Sequence, residues 1–585
     1  MGTQGDGFVK YTEYYDVYVQ RDAAIPMRDG VALFADIYSP VGEGQFPALL
    51  MRSPYDKSHS EFITYMHPEW YARQGFIVVT QDVRGKYASE GEFRPYHFER
   101  RDGADTIRFV KSLPNCNGKI GMYGFSYVGA TQLHASVEAP EELTAIAPAF
   151  TNDGYYEDWS YKNGALLLAF LQSWSVFLAP DQAARKGHPD EIGAVLDNLN
   201  HICEGYGHLP LNDHPKISRE FAPYYYEWLE HPTFDDYWKQ WHLGDMSSFS
   251  TPALHIGGWY DVFLQGTLRN YRRMTTDCQN EQVRASQKLV IGPWYHMPWS
   301  QLVGEADFGQ DGGNVVNDVQ LRWFQHWLQG VDNGVMDEPP VSIFVMGENK
   351  WRQEHEWPLA RTQYTKFYIH SAGGANSLTG DGWLDTGAPQ SEPADLYVYN
   401  PFDPVPSLGG HSCCIAGLTP MGPKDQRPVE IRNDVLVYFT APLQEDVELT
   451  GPVDAVIYAS STADDTDFTV KLVDVHPDGK SINLLEGIQR ASYRESNEQP
   501  SPIVPGEIYE YRFCVGSTSN LFKAGHRIGV EISSSNFPAF DRNLNRFHVN
   551  KDAGYTDIQN ATQKIYHDAA HPTHLVLPVI PRQNA

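Results

Sequence analysis

The stretch K-I-G-M-Y-G-F-S-Y-V-G-A, residues 119–130, contains the strongest structural signal in the chain. An apolar run ends at Gly124-Phe125-Ser126 and continues as a helix-forming segment, which predicts a strand, a sharp turn at Ser126 and a helix. A serine at such a turn is exposed at the strand end, with a helix N-terminus behind it. The second glycine of the usual G-x-S-x-G motif comes one position late, at Gly129, so the context must support the motif. The structural alternative is a serine N-cap packed among small residues.

The surroundings of this stretch predict a parallel sheet. Short apolar runs are separated by lengths that fit crossover helices, and they lie at 47–51, 76–80, 120–123, 252–256 and 289–291. Fully buried parallel strands have this apolar character. Helices are predicted over 101–113 and 127–138, and the Asp29-Gly30 turn signal predicts an opening β-hairpin.

Two further regions depart from this alternation of strands and helices. Residues 151–247 are helix-like and rich in aromatic side chains, which predicts an inserted helical cap whose aromatic residues mostly form its core. Beyond about residue 349, short strand-like runs predict a β-sandwich or jelly roll, and they lie at 367–370, 394–399, 435–440, 454–459, 468–475, 509–515 and 528–533. The predicted domains are therefore an α/β core (1–150 and 248–349), a cap (151–247) and a β domain (350–585).

A serine nucleophile needs a histidine base that is itself oriented by a carboxylate. In sheet enzymes of this kind the chain order is Ser, then Asp or Glu, then His, each after a strand end. Asp261 ends G-G-W-Y-D (257–261), and His296 ends G-P-W-Y-H (292–296). Separately, such residues are more often a turn aspartate and a structural histidine. In the required order after Ser126, they are predicted to complete a catalytic triad.

Acyl transfer also needs hydrogen-bond donors for the developing oxyanion. The backbone N–H of Tyr127, directly after the nucleophile, is one candidate. The second is the hydroxyl of Tyr55, in the loop after the run 47–51, because Pro54 in that loop has no N–H to offer. The alternative for Tyr55 is a packing role.

Composition excludes several classes of partner. The chain has 585 residues, which predicts about three to five domains, and 45 basic against 74 acidic residues give a formal net charge of −29. Nucleic acid and anionic membranes are therefore not expected partners. The first ten residues contain no recognisable targeting signal, and the apolar run at 165–171 is far shorter than a membrane span. With six scattered cysteines, we expect a cytoplasmic protein; the oligomeric state, including a homo-oligomer, stays open.

No metal site or cofactor is predicted. His567 and His571 have helical spacing, but Pro572 follows and an acidic third ligand is not defined. The adjacent pair Cys413-Cys414 has no role that the sequence assigns.

Several motifs together resemble the cocaine esterase and X-Pro dipeptidyl-peptidase family of serine hydrolases. They span nearly the whole chain and are P-M-R-D-G-V from Pro26, S-P-Y-D-K from Ser53, Q-D-V-R-G-K-Y-A-S-E-G-E-F from Gln81, G-F-S-Y-V-G from Gly124, G-G-W-Y-D from Gly257, G-P-W-Y-H from Gly292, D-P-V-P-S-L-G-G from Asp403 and S-S-S-N-F-P from Ser533. The resemblance implies an α/β-hydrolase core with an inserted helical cap and a C-terminal jelly roll. It also implies Ser126 as nucleophile, His296 as base, Asp261 as its orienting carboxylate, and Tyr55 with Tyr127 as oxyanion hole.

The resemblance also bears on the substrate. It implies an aromatic acyl pocket that includes Trp174 and Phe263, although the family's apolar segment after D-P-V-P-S-L-G-G is replaced here by residues 411–415. In the amino-ester branch of the family, acidic residues follow the catalytic aspartate, whereas Val262 follows Asp261 here. We therefore predict an ester hydrolase for an aromatic or other apolar acyl group.

Three acidic residues at the start of the cap leave an alternative open. Asp153, Glu157 and Asp158 could bind a substrate amine, but an exposed acidic helix start is the preferred interpretation. With an amine-binding site, the same machinery would hydrolyse amides, as in a β-lactam side-chain acylase, an α-amino-acid ester hydrolase or an X-Pro dipeptidyl peptidase. A remote alternative is an inactive binding protein that uses the jelly roll.

Overall fold

The structure is a computed structural model that describes residues 15–59, 65–297, 299–547 and 551–581. The prediction about the first ten residues therefore lies outside the described residues. Across the described ranges, every helix is too short or too polar to cross a membrane.

The first large sheet is mixed and carries the predicted parallel strands. Within the described residues it consists of β1 (Asp16–Pro26), β2 (Ala32–Val41), β3 (Phe46–Ser53), β4 (Ile77–Asp82), β5 (Cys116–Phe125), β6 (Ala145–Ala149), β7 (Leu254–Tyr260), β8 (Lys288–Tyr295), β9 (Val341–Val345) and β10 (Lys350–Glu354), in the spatial order β1-β2-β4-β3-β5-β6-β7-β8-β9-β10. β1 and β2 form the predicted hairpin, and β3 to β9 are parallel. Every residue of β3 and β4 is buried, as expected for strands covered on both faces.

Helices cover this sheet and form the inserted region. In chain order the described α-helices are α1 (Pro68–Arg73), α2 (Glu99–Lys111), α3 (Tyr127–Glu138), α4 (Leu168–Arg185), α5 (Ile192–Asn200), α6 (Pro223–Glu230), α7 (Asp236–Lys239), α8 (Leu264–Thr276), α9 (Glu281–Ala285), α10 (Val316–Phe324) and α11 (Arg427–Glu430). α3 follows β5 directly, so the predicted strand, turn and helix around Ser126 are confirmed.

The aromatic side chains of residues 151–247 pack together into one core. Its largest fully buried members include Tyr156, Trp159 and Trp238, and α4 contributes Trp174. Buried rings supply large contact areas and hold short helices together. Phe177 is the exception, because 42% of its surface is exposed.

The second large sheet is built from the C-terminal part of the chain. Its described strands are β11 (Gln363–His370), β12 (Trp383–Asp385), β13 (Asp395–Tyr399), β14 (Leu436–Phe439), β15 (Val447–Ser461), β16 (Asp467–Val475), β17 (Ser481–Arg490), β18 (Tyr509–Phe522), β19 (Arg527–Ser533), β20 (Ala561–Tyr566) and β21 (His574–Ile580). The predicted β-rich region is thus confirmed, whereas its jelly-roll topology and the domain limits stay predictions. β10 extends the first sheet past residue 349.

Hydrogen bonds donated by backbone N–H groups join the three parts. The Met346 N–H donates to the carbonyl of Ser519, and the Leu521 N–H donates to the carbonyl of Met346, which links the two large sheets. In the cap, the Leu166 N–H donates to the carboxylate of Asp541 at 2.7 Å. The β-rich part therefore supports both the α/β core and the cap.

Candidate active site

Three polar side chains follow three strand ends of the first sheet. Ser126 follows β5, Asp261 follows β7 and His296 follows β8, each as the first residue after its strand. These strands are parallel and lie close in the order β5-β6-β7-β8, so their carboxyl ends meet at one edge. Sheets of this class bind ligands at that edge.

The turn at Ser126 has an unusual backbone. Its φ of 61° and ψ of −128° lie in a region that non-glycine residues rarely adopt. The Ser126 N–H donates to the carbonyl of Ala149 at 2.9 Å, which ties the turn to the end of β6. The turn therefore presents the serine side chain at the start of α3.

The structure explains the late glycine of the motif. A Cβ at Gly129 would lie 2.7 Å from the carbonyl oxygen of Ala149 and 3.0 Å from Cβ of Thr151. A Cβ at Gly124 would lie 2.1 Å from Cγ1 of Val128. The contact between α3 and the end of β6 is thus made at Gly129, while Val128 occupies the position of the usual second glycine.

The three side chains form a hydrogen-bonded series. His296 Nδ1 lies 2.7 Å from Asp261 Oδ1, and His296 Nε2 lies 3.0 Å from Ser126 Oγ. All three residues are buried. The rings of Phe263 and His296 form a T-shaped pair, with centroids 5.0 Å apart and an interplanar angle of 84°. The structure thus brings together the serine, histidine and aspartate that the sequence singled out.

Tyr55 lies beside this series and pairs with Trp174. The Trp174 Nε1–H donates to the Tyr55 hydroxyl oxygen at 3.0 Å. Burial raises the pKa of the Tyr55 hydroxyl to about 12, although hydrogen bonds with Trp174 and Ser126 act in the opposite direction. The hydroxyl is therefore protonated at neutral pH and available as a donor.

The loop that carries Tyr55 is held by a buried carboxylate. The Lys57 N–H donates to Asp82 Oδ1 at 2.7 Å, and the Lys57 ammonium lies 3.6 Å from Asp82 Oδ2. Burial is the main reason why the pKa of Asp82 is raised to about 6. These bonds fix the loop directly after β3 and β4.

The backbone N–H of Tyr127 and its side-chain hydroxyl lie in different surroundings. It is the first residue of α3, where N–H groups have no acceptor within the helix. Its hydroxyl donates to Glu99 Oε1 at 2.8 Å and accepts from the Tyr96 N–H at 3.0 Å. The buried side chain therefore anchors α3, while the N–H lies at the helix start beside Ser126.

An apolar cavity of about 320 Å³ opens above the serine. Its wall is largely apolar, and the lining residues are Tyr55, His59, Phe125, Ser126, Trp174, Phe177, His296, Met297, Cys414, Ile415 and Ala416. Trp174 is thus placed on the wall. Phe263 is fully buried one layer behind the cavity, and its ring stacks on that of Trp159 with the ring centroids 4.2 Å apart.

Sequence reasoning missed several lining residues. Phe177 lies on α4, whose other aromatic side chains form core, and its 42% exposure is not visible in the sequence; Met297 follows His296 without any motif of its own. Ile415 and Ala416 come from the C-terminal half of the chain, and no catalytic or binding motif includes them. The replaced segment 411–415 was the sole hint that this wall is particular to the chain.

The preferred interpretation of the acidic residues at the cap start is wrong. They are not an exposed helix start: Asp153 and Asp158 are each 5% exposed and precede α4 by a turn-rich segment. Arg269 of α8 pairs with both, at 3.0 Å and 2.7 Å. Burial and the neighbouring Asp158 carboxylate raise the pKa of Glu157 to about 8. A cation from the core therefore already occupies the place that an amine would take.

Two groups of side chains in the described ranges could hold a metal ion. One consists of His296, Cys413 and Cys414, and the other of Asp474, His476 and His526, with ligand atoms within 4.8 Å of one another in each group. His567 instead pairs with Asp395 at 3.0 Å and with Glu392 at 3.0 Å.

Most of the chain matches two family models of known proteins. Residues 29–298 match the X-Pro dipeptidyl-peptidase (S15 family) model, and residues 333–576 match the X-Pro dipeptidyl-peptidase C-terminal non-catalytic domain. Cocaine esterase from Rhodococcus sp. (strain MB1 Bresler) is 38% identical, covering 96% of this chain and 99% of that protein.

Solved structures share the whole architecture. An aminopeptidase from the marine sediment archaeon Thaumarchaeota archaeon superposes with a TM-score of 0.81 at 26% identity, covering 99% of both chains. An α-amino-acid ester hydrolase superposes with a TM-score of 0.79 at 27% identity, covering 98% of both chains.

Proposed function

The chain belongs to the X-Pro dipeptidyl-peptidase (S15) family of hydrolases that includes cocaine esterase, and from this premise we propose that it is a serine carboxylic ester hydrolase. The proposed substrates are small esters with an apolar, specifically an aromatic, acyl group. The observation that carries the proposal is the hydrogen-bonded series Asp261–His296–Ser126 at the floor of an apolar cavity.

In the proposed reaction, Ser126 Oγ attacks the acyl carbonyl and its proton passes to His296 Nε2. The carbon–oxygen bond to the alcohol then breaks, and the same proton goes to the leaving alkoxide. Asp261 holds the Nδ1–H of the imidazole, which fixes the ring orientation and stabilises the imidazolium. Water next attacks the acyl-enzyme by the same route and releases the acid.

Two donors are proposed to stabilise the oxyanion. The Tyr55 hydroxyl lies beside Ser126, and the pKa of about 12 keeps its proton in place. The Tyr127 N–H lies at the positive end of α3. Donors that are already in position act strongly in a buried site because the surroundings need not reorganise during the reaction.

The cavity supports the apolar acyl group. Its lining is dominated by aromatic and aliphatic side chains, among them Trp174, Phe177 and Ile415. A volume of about 320 Å³ falls at the small end of typical ligand pockets. Phe263, behind the wall, would support the imidazole and the cavity floor without direct exposure to substrate.

The amide-hydrolase alternative for amine-bearing substrates has less support. Among the described residues that line the cavity there is no carboxylate to pair with an ammonium group. Asp153 and Asp158 are already paired with Arg269. Burying an unpaired charge is unfavourable by several kcal/mol, so such substrates should bind poorly.

A fluorophosphonate probe tests the nucleophile and excludes an inactive binding protein. The Ser126 oxygen would bond to phosphorus and fluoride would leave, so only an activated serine is labelled. We expect labelling of the wild type, loss of labelling in Ser126→Ala, and full labelling in the exposed control Ser112→Ala. Labelling that persists in Ser126→Ala would disprove the proposed nucleophile.

A substrate panel tests the acyl group. p-Nitrophenyl acetate, butyrate and benzoate, and the p-nitrophenyl ester of alanine, differ in apolar area and in charge. We expect kcat/KM to be highest for benzoate and lowest for the alanine ester. A preference for the alanine ester would favour the amino-ester alternative instead.

A further inference from the structure

The pair Cys413 and Cys414 lies against the proposed base. Cys413 is fully buried, and Cys414 is half-buried and lines the cavity. A disulfide joins the two sulfur atoms in the structure. Both sulfur atoms and a ring nitrogen of His296 lie within 4.8 Å of one another.

Only one nitrogen of His296 can serve as a ligand there. Nδ1 is engaged with Asp261 at 2.7 Å, so the lone pair that a metal ion could take is that of Nε2, which lies 3.0 Å from Ser126 Oγ in the structure. A carboxylate on the far nitrogen is also the usual arrangement behind a metal-binding histidine, because it fixes the tautomer and raises the basicity of the ligand nitrogen. By holding the proton on Nδ1, Asp261 leaves Nε2 as the nitrogen that can accept either a proton or a metal ion.

The backbone on both sides of the cysteine pair is anchored. The His411 ring contacts the carbonyl of Trp259 at 2.8 Å and pairs with Glu486 at 3.1 Å. After the pair, the N–H groups of Leu418 and Thr419 both donate to the carbonyl of Ile415. These contacts on both sides of the pair restrict where Cys413 and Cys414 can lie.

We propose that the dithiol form of Cys413 and Cys414, together with His296, binds one soft divalent cation such as Zn²⁺ and thereby inhibits the enzyme. Two thiolates and one imidazole form a set of three ligands that zinc accepts with a tetrahedral fourth position open. The disulfide form lacks thiolates and cannot bind the ion. The inhibitory part of this inference rests on the proposed function of His296.

Reduction of the disulfide precedes metal binding. A phosphine reductant takes the disulfide to two thiols, and the phosphorus is oxidised to a phosphine oxide with oxygen from water. Zn²⁺ then displaces one proton from each thiol and forms two Zn–S bonds and one Zn–N bond, with no change in its oxidation state. In the complex, the Nε2 lone pair is no longer available to accept the Ser126 proton.

Cadmium binding tests the site without reference to activity. The probe is Cd²⁺ titrated into phosphine-reduced protein, read as the ultraviolet absorption of cadmium–thiolate bonds. We expect one equivalent bound by Ser126→Ala, which retains both cysteines. The double variant Cys413→Ser/Cys414→Ser should lose this absorption, and Cys203→Ser, which removes an exposed free cysteine, should retain it. Equal absorption in the double variant would overturn the proposal.

Two further measurements separate the ligand role of His296 from the esterase function. His296→Ala should weaken Cd²⁺ binding by at least about tenfold, the scale seen when metal sites lose a supporting group. Zn²⁺ should inhibit reduced wild-type enzyme, a chelator should restore it, and the disulfide form should be insensitive. Retained inhibition in the double cysteine variant, or unchanged Cd²⁺ affinity in His296→Ala, would refute the three-ligand site. Intact binding in a protein inactive on every ester would instead refute the proposed function.

Discussion

At the residue scale, the Tyr55 hydroxyl already accepts one hydrogen bond. The Trp174 Nε1–H occupies an acceptor lone pair of its oxygen at 3.0 Å. A hydroxyl keeps one donor besides its acceptor lone pairs, so the Tyr55 proton is directed to another partner. That partner can be Ser126 in the free enzyme and the oxyanion during the reaction. Trp174 is therefore a positioning residue for the proposed donor, in addition to lining the cavity.

Tyr55→Phe should lower kcat for a p-nitrophenyl ester by about 10²-fold or more, the effect of removing one oxyanion donor. KM should change little, because the bond is stronger in the transition state than in the bound substrate. The control is Tyr364→Phe, at a half-exposed tyrosine on β11, which should leave kcat unchanged. A Tyr55→Phe enzyme with wild-type kcat would exclude the hydroxyl from the mechanism.

At the element scale, the junction of β5, α3 and β6 determines the geometry at Ser126. Gly129→Ala would place a methyl group 2.7 Å from the Ala149 carbonyl, against backbone that cannot move without shifting the turn. We expect a loss of about 1–3 kcal/mol in stability, as for other overpacked sites, together with lower kcat. Thermal unfolding and ester turnover measure the two effects.

A second helical glycine provides a matched control for that substitution. Gly193 lies in α5, and a Cβ built there has open space around it within 4 Å. Gly193→Ala should be neutral or stabilise the protein by up to about 1 kcal/mol through helix propensity. If both variants showed the same thermal stability and activity, the close contact at Gly129 would not determine the geometry of the turn at Ser126.

The sequence predicted the elements with a clear periodic or motif signal, and missed others for physical reasons. The helix predicted at 127–138 is observed within the same bounds. β17 was missed because buried polar residues interrupt its apolar pattern, and their partners, such as His411 for Glu486, lie far away in sequence. β21 contains Pro578, which argues against a strand when the pairing is unknown. The cavity wall at 414–416 likewise depends on tertiary packing.

At the scale of the whole molecule, the formal net charge of −29 counts every carboxyl as ionised, although some carboxyls are buried. In the second sheet, Glu430 and Glu531 are both buried, and the Lys471 ammonium lies 3.8 Å from Glu531. Burial is the main reason why the pKa of each carboxyl is raised, with the neighbouring carboxyl adding to the effect for Glu531. The folded protein therefore binds more protons here than the unfolded chain does.

This proton uptake determines the sign of a pH effect on stability. A carboxyl whose folded pKa is raised contributes its full stability below the unfolded value of 4.5, and that contribution is lost as pH rises through the folded pKa. Surface repulsion among the excess acidic groups acts in the same direction as pH rises. We therefore expect this carboxyl pair to lower the thermal unfolding midpoint as pH rises from about 5 to about 8, whereas buried histidines with lowered pKa values, such as His134 and His255, act in the opposite direction below about pH 6.5.

Glu531→Gln should make this decline shallower, because the amide keeps the shape of the side chain but cannot ionise. The exposed control Glu348→Gln should retain the wild-type slope. Scanning fluorimetry of the three proteins across the same pH series measures the midpoints, and added salt separates the surface contribution, which salt screens, from the buried one. Parallel pH curves for Glu531→Gln and the wild type at high salt would show that the buried carboxyl pair is not the source of the pH dependence.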